Sequence, residues 1–413
     1  MDFEYRYSSE QEVFRTEVRD WLNENVPEGI TNPLDNAHTD RETFLWIKDF
    51  RKQLGAKGWL YPTWPTEYGG GGLTGDHDII IKEELEKADV PGTDASALFP
   101  AAAAVWGTEE QKQQFLRPTL QGEIALWQLF TEPGAGSDLA SLRTRATKDG
   151  DDWLINGEKV FNGSKFGYKL GDDDNGDVHE EFDEMFTLAI TDPDAPRHRN
   201  MGYFIIPGDA PGVTTQTMDL LSGQGKQQIY LDNVRVGNDR LFGGETQGWQ
   251  VAQTTLELEH GGGGQLVPRN HAVEQMLQLA RDTGAGQHPH LVHTLMDAYI
   301  DNQILRLIGL RNYWMYEAKQ EMSYHGSQNS LWRKESALRT ADAIREVLGL
   351  TPLLNQDDPK APFGGALETH QRESLVGAHP GGTIEVQKVI IARRIGVSRT
   401  RERAAPTPST AKS

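Results

Sequence analysis

Over roughly the first 120 residues, apolar side chains recur every three or four positions, the period of a helix with one buried face. Ser9 and Glu12 have the spacing of a capping box. Phe14, Val18, Trp21 and Leu22 then share a face until Pro27 ends the run. Thr39 and Glu42 repeat that box ahead of Ile47, Phe50 and Leu54, and the glycines and prolines of LGAKGWLYPTWPTEYGGGG break the pattern. From Ile124 the period changes to short alternating or β-branched runs (TLAITDP, YFIIPG, QQIYLDNVRV), with Asp149-Gly150 and Asn156-Gly157 as turn signals. After Gly248 the helical period returns, most clearly at Ile300, Ile304, Leu307 and Ile308. The pattern predicts an α+β, multi-domain chain: a helical N-terminal domain over 1–123, a central β domain over 124–245 and a helical C-terminal domain over 246–400. The closing RERAAPTPSTAKS, 401–413, is small, polar and Pro-containing, and is expected to be a disordered tail.

Composition narrows the function classes. A chain of 413 residues exceeds one ordinary hydrophobic core and can bury a large cofactor. Its net charge of -20 opposes binding to polyanions and to anionic membranes. Nucleic acid is therefore not an expected partner. No apolar run approaches the roughly 18 residues of a spanning helix, so no membrane insertion is expected. The start, MDFEYRYSSEQEVF, lacks the basic-then-apolar order of a signal peptide, which makes a cytoplasmic location the expectation. With no cysteine, thiolate catalysis and Cys-based metal sites are excluded; the chemistry must come from carboxylates, histidines or a cofactor.

The most informative segment is FTEPGAGSDLASL, Phe130 to Leu142. Its glycines permit close backbone approach, and its hydroxyls and amides suit an anionic or carbonyl-bearing ligand. Taken alone it reads first as an ordinary structural turn, and it lacks the third glycine of a dinucleotide fingerprint and the Gly-Lys-Ser/Thr of a phosphate loop. HPHLVH, with His288, His290 and His293, reads as the start of a helix rather than a metal site. The acidic stretch Gly171 to Glu184 reads as a solvated loop, because Gly171 stands where a calcium loop needs an acid.

The loop resembles the TEPGAGSD signature of acyl-CoA dehydrogenases. NGEKVF, Asn156 to Phe161, is similar to that family's second β-domain motif. The segment ending in Gly248-Trp249 resembles the entry to its C-terminal helices, and GGTIEVQKVIIARRIG, Gly381 to Gly396, its closing FAD-binding stretch. The ordered landmarks span nearly the whole chain. The resemblance implies a helical N-terminal domain, a central β-barrel-like domain and a C-terminal four-helix bundle, with FAD held between domains and between subunits. By correspondence Gln128, Phe130 and Thr131 would face the flavin, Ser137 would approach the pyrophosphate or the thioester, and Phe161 would replace a tryptophan packed on the ring. Asn162, then Gly163 and Ser164, stand where a family hydroxyl often follows. Gly382, Thr383 and Glu385 would lie near the cofactor, and Arg281 would reach the neighbouring subunit's FAD, although the aromatic that usually follows that arginine is missing.

In many members the catalytic glutamate immediately precedes the Gly-Thr of the closing motif; here that position is Gly381, whose amide would still polarise the thioester carbonyl. In the isovaleryl and long-chain types the base lies instead on a helix at the start of the C-terminal bundle. The corresponding residue is Glu259 in TTLELEHGGGG, with His260 in place of the usual arginine on the substrate side. Glu257, two residues away and so about 200° round a helix, is a poor substitute. The implied reaction is α-proton abstraction by Glu259 and β-hydride transfer to flavin N5, giving a 2-enoyl-CoA, with an electron-transferring flavoprotein as acceptor. A homodimer or homotetramer is expected, and a heteromer is an alternative. Two further readings keep the fold: a non-catalytic accessory subunit, and a flavin oxidase or N-oxygenase.

Overall fold

A computed structural model describes residues 7–30, 40–92, 95–162, 167–168, 181–222, 225–259, 271–318 and 320–398, with backbone alone at 95–96, 167–168, 181–182, 258–259 and 316–317. The chain divides into two compact units. One comprises residues up to Leu220 with Gln224–Thr255, and the other Leu221–Gly223 with Leu256–Ala405.

The first unit opens with helices α1 (Ser9–Asn25), α2 (Arg41–Ala56), α3 (Gly75–Lys87) and α4 (Phe99–Trp106). A short α5 (Glu109–Gln111) runs through one π turn into α6 (Arg117–Leu120). The capping box of α1 sits one residue earlier than predicted: Ser8 Oγ accepts from Gln11 N at 3.2 Å while Gln11 Oε1 accepts from Ser8 N at 2.7 Å. Helix α2 is capped by Asp40, which accepts from Thr43 N at 3.0 Å; the predicted cap, Thr39, lies outside the described residues. Asp40 provides the carboxylate that suits a helix start, and Glu42 follows it in the first turn. Helix α1 is tied to α3 by Arg15 and Arg19, both donating to Glu84, whose side chain is 2% exposed and which also accepts from Lys87 of its own helix.

Ten strands follow: β1 (Leu126–Leu129), β2 (Arg145–Asp149), β3 (Asp152–Asn162), β4 (Gly167–Tyr168), β5 (Glu181–Phe182), β6 (Glu184–Ile190), β7 (Met201–Pro207), β8 (Val213–Asp219), β9 (Gly225–Gly237) and β10 (Leu241–Phe242). Eight form one mixed sheet in the order β10-β7-β6-β2-β3-β9-β8, with β1 beside β6, and β4 pairs with β5 separately. β1 and β2 run parallel to β6, and the other ladders are antiparallel. Among the described residues the sheet does not close, so the barrel-like expectation is corrected to an open sheet. One edge is the two-residue β10 and the other is the largely exposed β8, VTTQTMD, whose polar side chains suit an outer strand. Trp127, Trp153, Ile155, Phe204, Ile229 and Val236 form its core. Asp149-Gly150 turns the β2–β3 hairpin as predicted. Asn156-Gly157 does not make a turn: both lie within β3, at a register shift against β9.

Helix α7 (Gly248–Glu259) leads from the first unit into the second, which contains α8 (His271–Asp282), α9 (Pro289–Glu317), α10 (His325–Leu348), α11 (Ala366–Gly377) and α12 (Ile384–Arg394). Its core includes Ala272, Met276, Leu295, Ala298, Ile344, Val347 and Leu367. The apolar stripe predicted on α9 is split. Leu305 and Ile308 are buried, whereas Ile300 is 48% and Leu307 54% exposed, because apolar residues occur on nearly every side of this helix. HPHLVH includes the first turn of α9, which begins at Pro289. Among the described residues, no helix is long and apolar enough to cross a membrane.

Candidate functional site

The TEPGAGSD loop and the NGEKVF strand are joined by an ion pair. Alternation along β3 turns Trp153, Ile155 and Lys159 to the buried side, and Lys159 has no exposed surface. Its ammonium donates to Glu132 Oε1 at 2.9 Å and to the Leu188 carbonyl at 3.1 Å, with a longer contact to Phe130 O at 3.4 Å. Glu132 also accepts from the Thr144 hydroxyl at 2.6 Å and from the backbone N–H groups of Thr144, at 3.0 Å, and Arg143, at 2.6 Å. Burial works to raise the Glu132 pKa, but the Lys159 charge and these donors outweigh it, so the carboxylate lies below its ordinary range. Burial pulls the Lys159 pKa down, with Glu132 opposing. Such a pair is secure because nearly every polar atom is satisfied.

That pair sets the base of the loop. Glu132 and Ala135 exchange backbone hydrogen bonds at 3.0 and 3.1 Å, and Val160 N donates to Thr131 O at 2.9 Å. Gly157 is required where β3 passes Thr144, since a Cβ there would meet Thr144 Oγ1 at 2.3 Å. Phe130 is buried edge-on against Phe186 and Tyr203, while Thr131 and Gln128 are half-buried. Above the base, Pro133, Gly134, Gly136 and Ser137 are exposed, and a Cβ at Gly134 or Gly136 would enter open space.

A second register shift in β3 falls between Lys159 and Asn162. It turns Phe161 outward, 58% exposed and at φ 65°, a conformation that costs an aromatic residue roughly 1–2 kcal/mol. Asn162 is buried beside it and donates from Nδ2 to the Gln128 carbonyl at 2.9 Å. Gln128, Phe130, Thr131, Phe161 and Asn162 are thus brought together around one loop and one bulge, with Ser137 on the exposed tip. A large aromatic held outward beside an open glycine loop fits a planar, phosphate-bearing cofactor such as FAD.

The remaining expected residues lie in the second unit. Thr383 is the N-cap of α12, its hydroxyl accepting from Val386 N at 3.3 Å. Glu385 is exposed in the first turn and held below the usual carboxylate range by its own backbone N–H and by the Thr383 hydroxyl. Gly381 and Gly382 are half-buried, with φ of 63° and 76°. Arg281 is exposed in the last turn of α8. Glu259 is the last residue of α7, its side chain outside the described set; His260, Gly163 and Ser164 and the 401–413 tail also lie outside it. Glu257 is engaged by Arg394, which donates to its two oxygens at 2.8 and 2.6 Å; the two side chains are 11% and 7% exposed respectively.

Sequence reading passed over Glu132, Lys159, Lys334, Gln387 and Arg394. The first two carried a signal: period two places Lys159 on the inner face of β3, and a buried lysine needs a carboxylate.

Residues 8–123 match the family model "Acyl-CoA dehydrogenase, N-terminal domain", and 246–396 match "Acyl-CoA dehydrogenase, C-terminal domain". Acyl-CoA dehydrogenase IpdE1 of Mycobacterium tuberculosis is 28% identical over 93% of this chain and 97% of its own. Among solved structures, one described as "Tcur3481-Tcur3483 steroid ACAD" has a TM-score of 0.79 at 26% identity, covering 97% of this chain and all of that one. The ChsE4-ChsE5 complex from Mycobacterium tuberculosis has a TM-score of 0.76 at 26% identity, covering 96% of this chain and 100% of that one. The two family models together span more than half of the sequence, and the chain belongs to the acyl-CoA dehydrogenase family of FAD-dependent oxidoreductases.

Proposed function

We propose that the chain oxidises the α,β bond of an acyl-CoA thioester, with Glu259 as the base that takes the α-proton. The observation that carries this assignment is the bidentate Arg394 pair on Glu257, which occupies the neighbouring carboxylate of the same helix and leaves Glu259 as the acid assigned to the reaction. The chemistry that bound FAD would supply is acceptance of the β-hydride, with an electron-transferring flavoprotein as the onward acceptor. Gln128, Phe130, Thr131, Ser137, Phe161, Asn162, Arg281, Gly382, Thr383 and Glu385 would hold FAD, Phe161 supplying an aromatic face. The Gly381 amide polarises the thioester carbonyl, which acidifies the α-carbon and lets a carboxylate serve as base. Ser137 and His260 are the residues assigned to the substrate. Low polarity around the acyl chain would raise the Glu259 pKa towards the working pH.

The similarity to a steroid ACAD supports a bulky, polycyclic or side-chain thioester as substrate class. Packing of α8, α9, α10 and α11 around one core supports the four-helix bundle reading. Association through α9 is supported by Ile300, Leu307 and Trp314, spaced by sevens and 48%, 54% and 62% exposed. The partner is a second copy or, given the likeness to the ChsE4-ChsE5 complex, a homologous subunit.

The test is anaerobic bleaching of the purified flavoprotein near about 450 nm, the oxidised-flavin band, by a panel of straight, branched and steroid side-chain thioesters. Bleaching that disappears in Glu259→Gln supports both reaction and base. A protein that retains no flavin favours the accessory-subunit reading, and sustained oxygen consumption favours an oxidase.

A further inference from the structure

The turn Ala378–Thr383 is held from beneath by two buried side chains. Lys334 on α10, 2% exposed, donates from Nζ to the carbonyls of Gly377, at 2.9 Å, and Pro380, at 2.5 Å. Gln387 on α12, with no exposed surface, donates from Nε2 to the carbonyl of Gly381 at 2.6 Å and, more distantly, to that of Gly382 at 3.5 Å. Both glycines adopt positive φ, 63° and 76°, which lets the backbone turn its carbonyls inward in succession.

Peptide planarity converts these bonds into a statement about the amides. The described chain contains no cis peptide, and in a trans unit a carbonyl and the following N–H point in opposite directions. Drawing Pro380 O towards Lys334 therefore sends the Gly381 N–H away from it. The Gln387 bond to Gly381 O does the same for Gly382 N–H, and its longer contact to Gly382 O for that of Thr383. The donors beneath are buried, whereas the turn is half-buried with His379 and Pro380 exposed, so these amides are presented on the outer side of the turn. The cation also lies on the carbonyls that end α11, where the helix dipole favours positive charge.

We propose that Lys334 and Gln387 are positioning residues that aim the Gly381 amide at the thioester carbonyl; this rests on the dehydrogenase reading above. Glutamate at position 381 would bring the base and the polarising amide on one residue. With the base assigned to another helix, the carbonyl bonds from Lys334 and Gln387 are what turn the amide outward. Neither side chain touches substrate, so their effect is on carbonyl polarisation.

The experiment uses the flavin-loaded protein and a 3-thia-acyl-CoA, in which sulfur replaces the β-methylene so that the α-proton can leave but no hydride can follow. The pH at which the bound analogue loses that proton reports polarisation directly. Lys334→Met and Gln387→Met should move this ionisation to higher pH and lower kcat on a true substrate by about 100-fold, the scale of a small misplacement, with a smaller change in KM. Gln387→Met keeps side-chain length and carries the test if Lys334→Met does not fold. Variants that lose thermal stability yet ionise the analogue at the wild-type pH would overturn the proposal. A wild-type protein that binds flavin but is neither bleached by thioesters nor ionises the analogue would overturn the dehydrogenase reading and this proposal together.

Discussion

Arg394, in the last turn of α12, closes on Glu257 with two separate nitrogens on two separate carboxylate oxygens, while one nitrogen also donates to the Ser323 carbonyl at 2.5 Å. The pair joins the end of α7 to the closing helix. Two acids lie two residues apart on α7, and Glu257 is the one that holds this bond. Glu257→Gln is expected to destabilise the protein by about 3–5 kcal/mol, the cost of leaving a buried charge unpartnered, while folded protein still bleaches with substrate. Glu259→Gln should leave the melting temperature nearly unchanged and reduce the bleaching rate by about 100- to 10,000-fold. Stopped-flow absorbance beside thermal unfolding separates the two; the opposite assignment of losses would move the base to Glu257.

Glu132 and Lys159 make a second internal pair, with a different expected outcome. Either Glu132→Gln or Lys159→Met alone should cost about 3–5 kcal/mol. The double variant should cost less than the sum, because the two groups couple through one bond. A double-mutant cycle by denaturant unfolding measures this. Strict additivity would show that the bond contributes nothing to the loop.

Glycines of the two motifs divide by what surrounds them. Gly157→Ala should be strongly destabilising, as the new methyl would stand 2.3 Å from Thr144 Oγ1, whereas Gly134→Ala faces open space and should change the melting temperature little. Flavin retention after gel filtration shows whether the tip matters for the cofactor instead.

Phe161→Ala should cost the flavin-free protein little or nothing, since the ring is 58% exposed, and Phe161→Gly should even stabilise it by relieving φ 65°. Both should weaken flavin retention. Calorimetry on flavin-free and flavin-loaded protein checks the two halves; a loss confined to the flavin-free form would make Phe161 a structural residue.

The acid limb of stability is set in part by Glu84. Burial raises its pKa, but hydrogen bonds from Arg19, Lys87 and Arg15 more than offset that, taking it from 4.5 to about 2. A carboxylate depressed on folding stabilises fully above its unfolded pKa and loses that contribution as pH falls through the folded value. Between pH 4.5 and about 2 the first unit should lose on the order of 3 kcal/mol from this group. Glu84→Gln should flatten that part of a pH–stability profile.

How far the sequence reveals this structure depends on range. The helix, sheet, helix order is legible because each period is a local property of buried faces. The capping of α1 was misplaced by one residue because Ser8 and Ser9 are both competent caps, and only the backbone at Ser8 decides between them. Asn156-Gly157 has turn composition, but its glycine answers a steric demand from Thr144, thirteen residues away along the chain and invisible to local pattern. Closure of the sheet depends on whether β8 and β10 meet, which no local period encodes. In the candidate site, the motif loop was visible as glycine and hydroxyl composition. The buried donors beneath the Gly381 turn were not, because Lys334 and Gln387 each read as ordinary polar residues on a helix.

The loop anchored by Glu132 has a strong root and an unencumbered tip. The root is closed by ionic and backbone bonds within the sheet, while Pro133, Gly134, Gly136 and Ser137 stand clear of it. Framework and contact surface are consequently separable: exchanging residues at the tip leaves the bonds at the root in place. The same separation makes the tip the natural place to begin redesigning what this scaffold accepts.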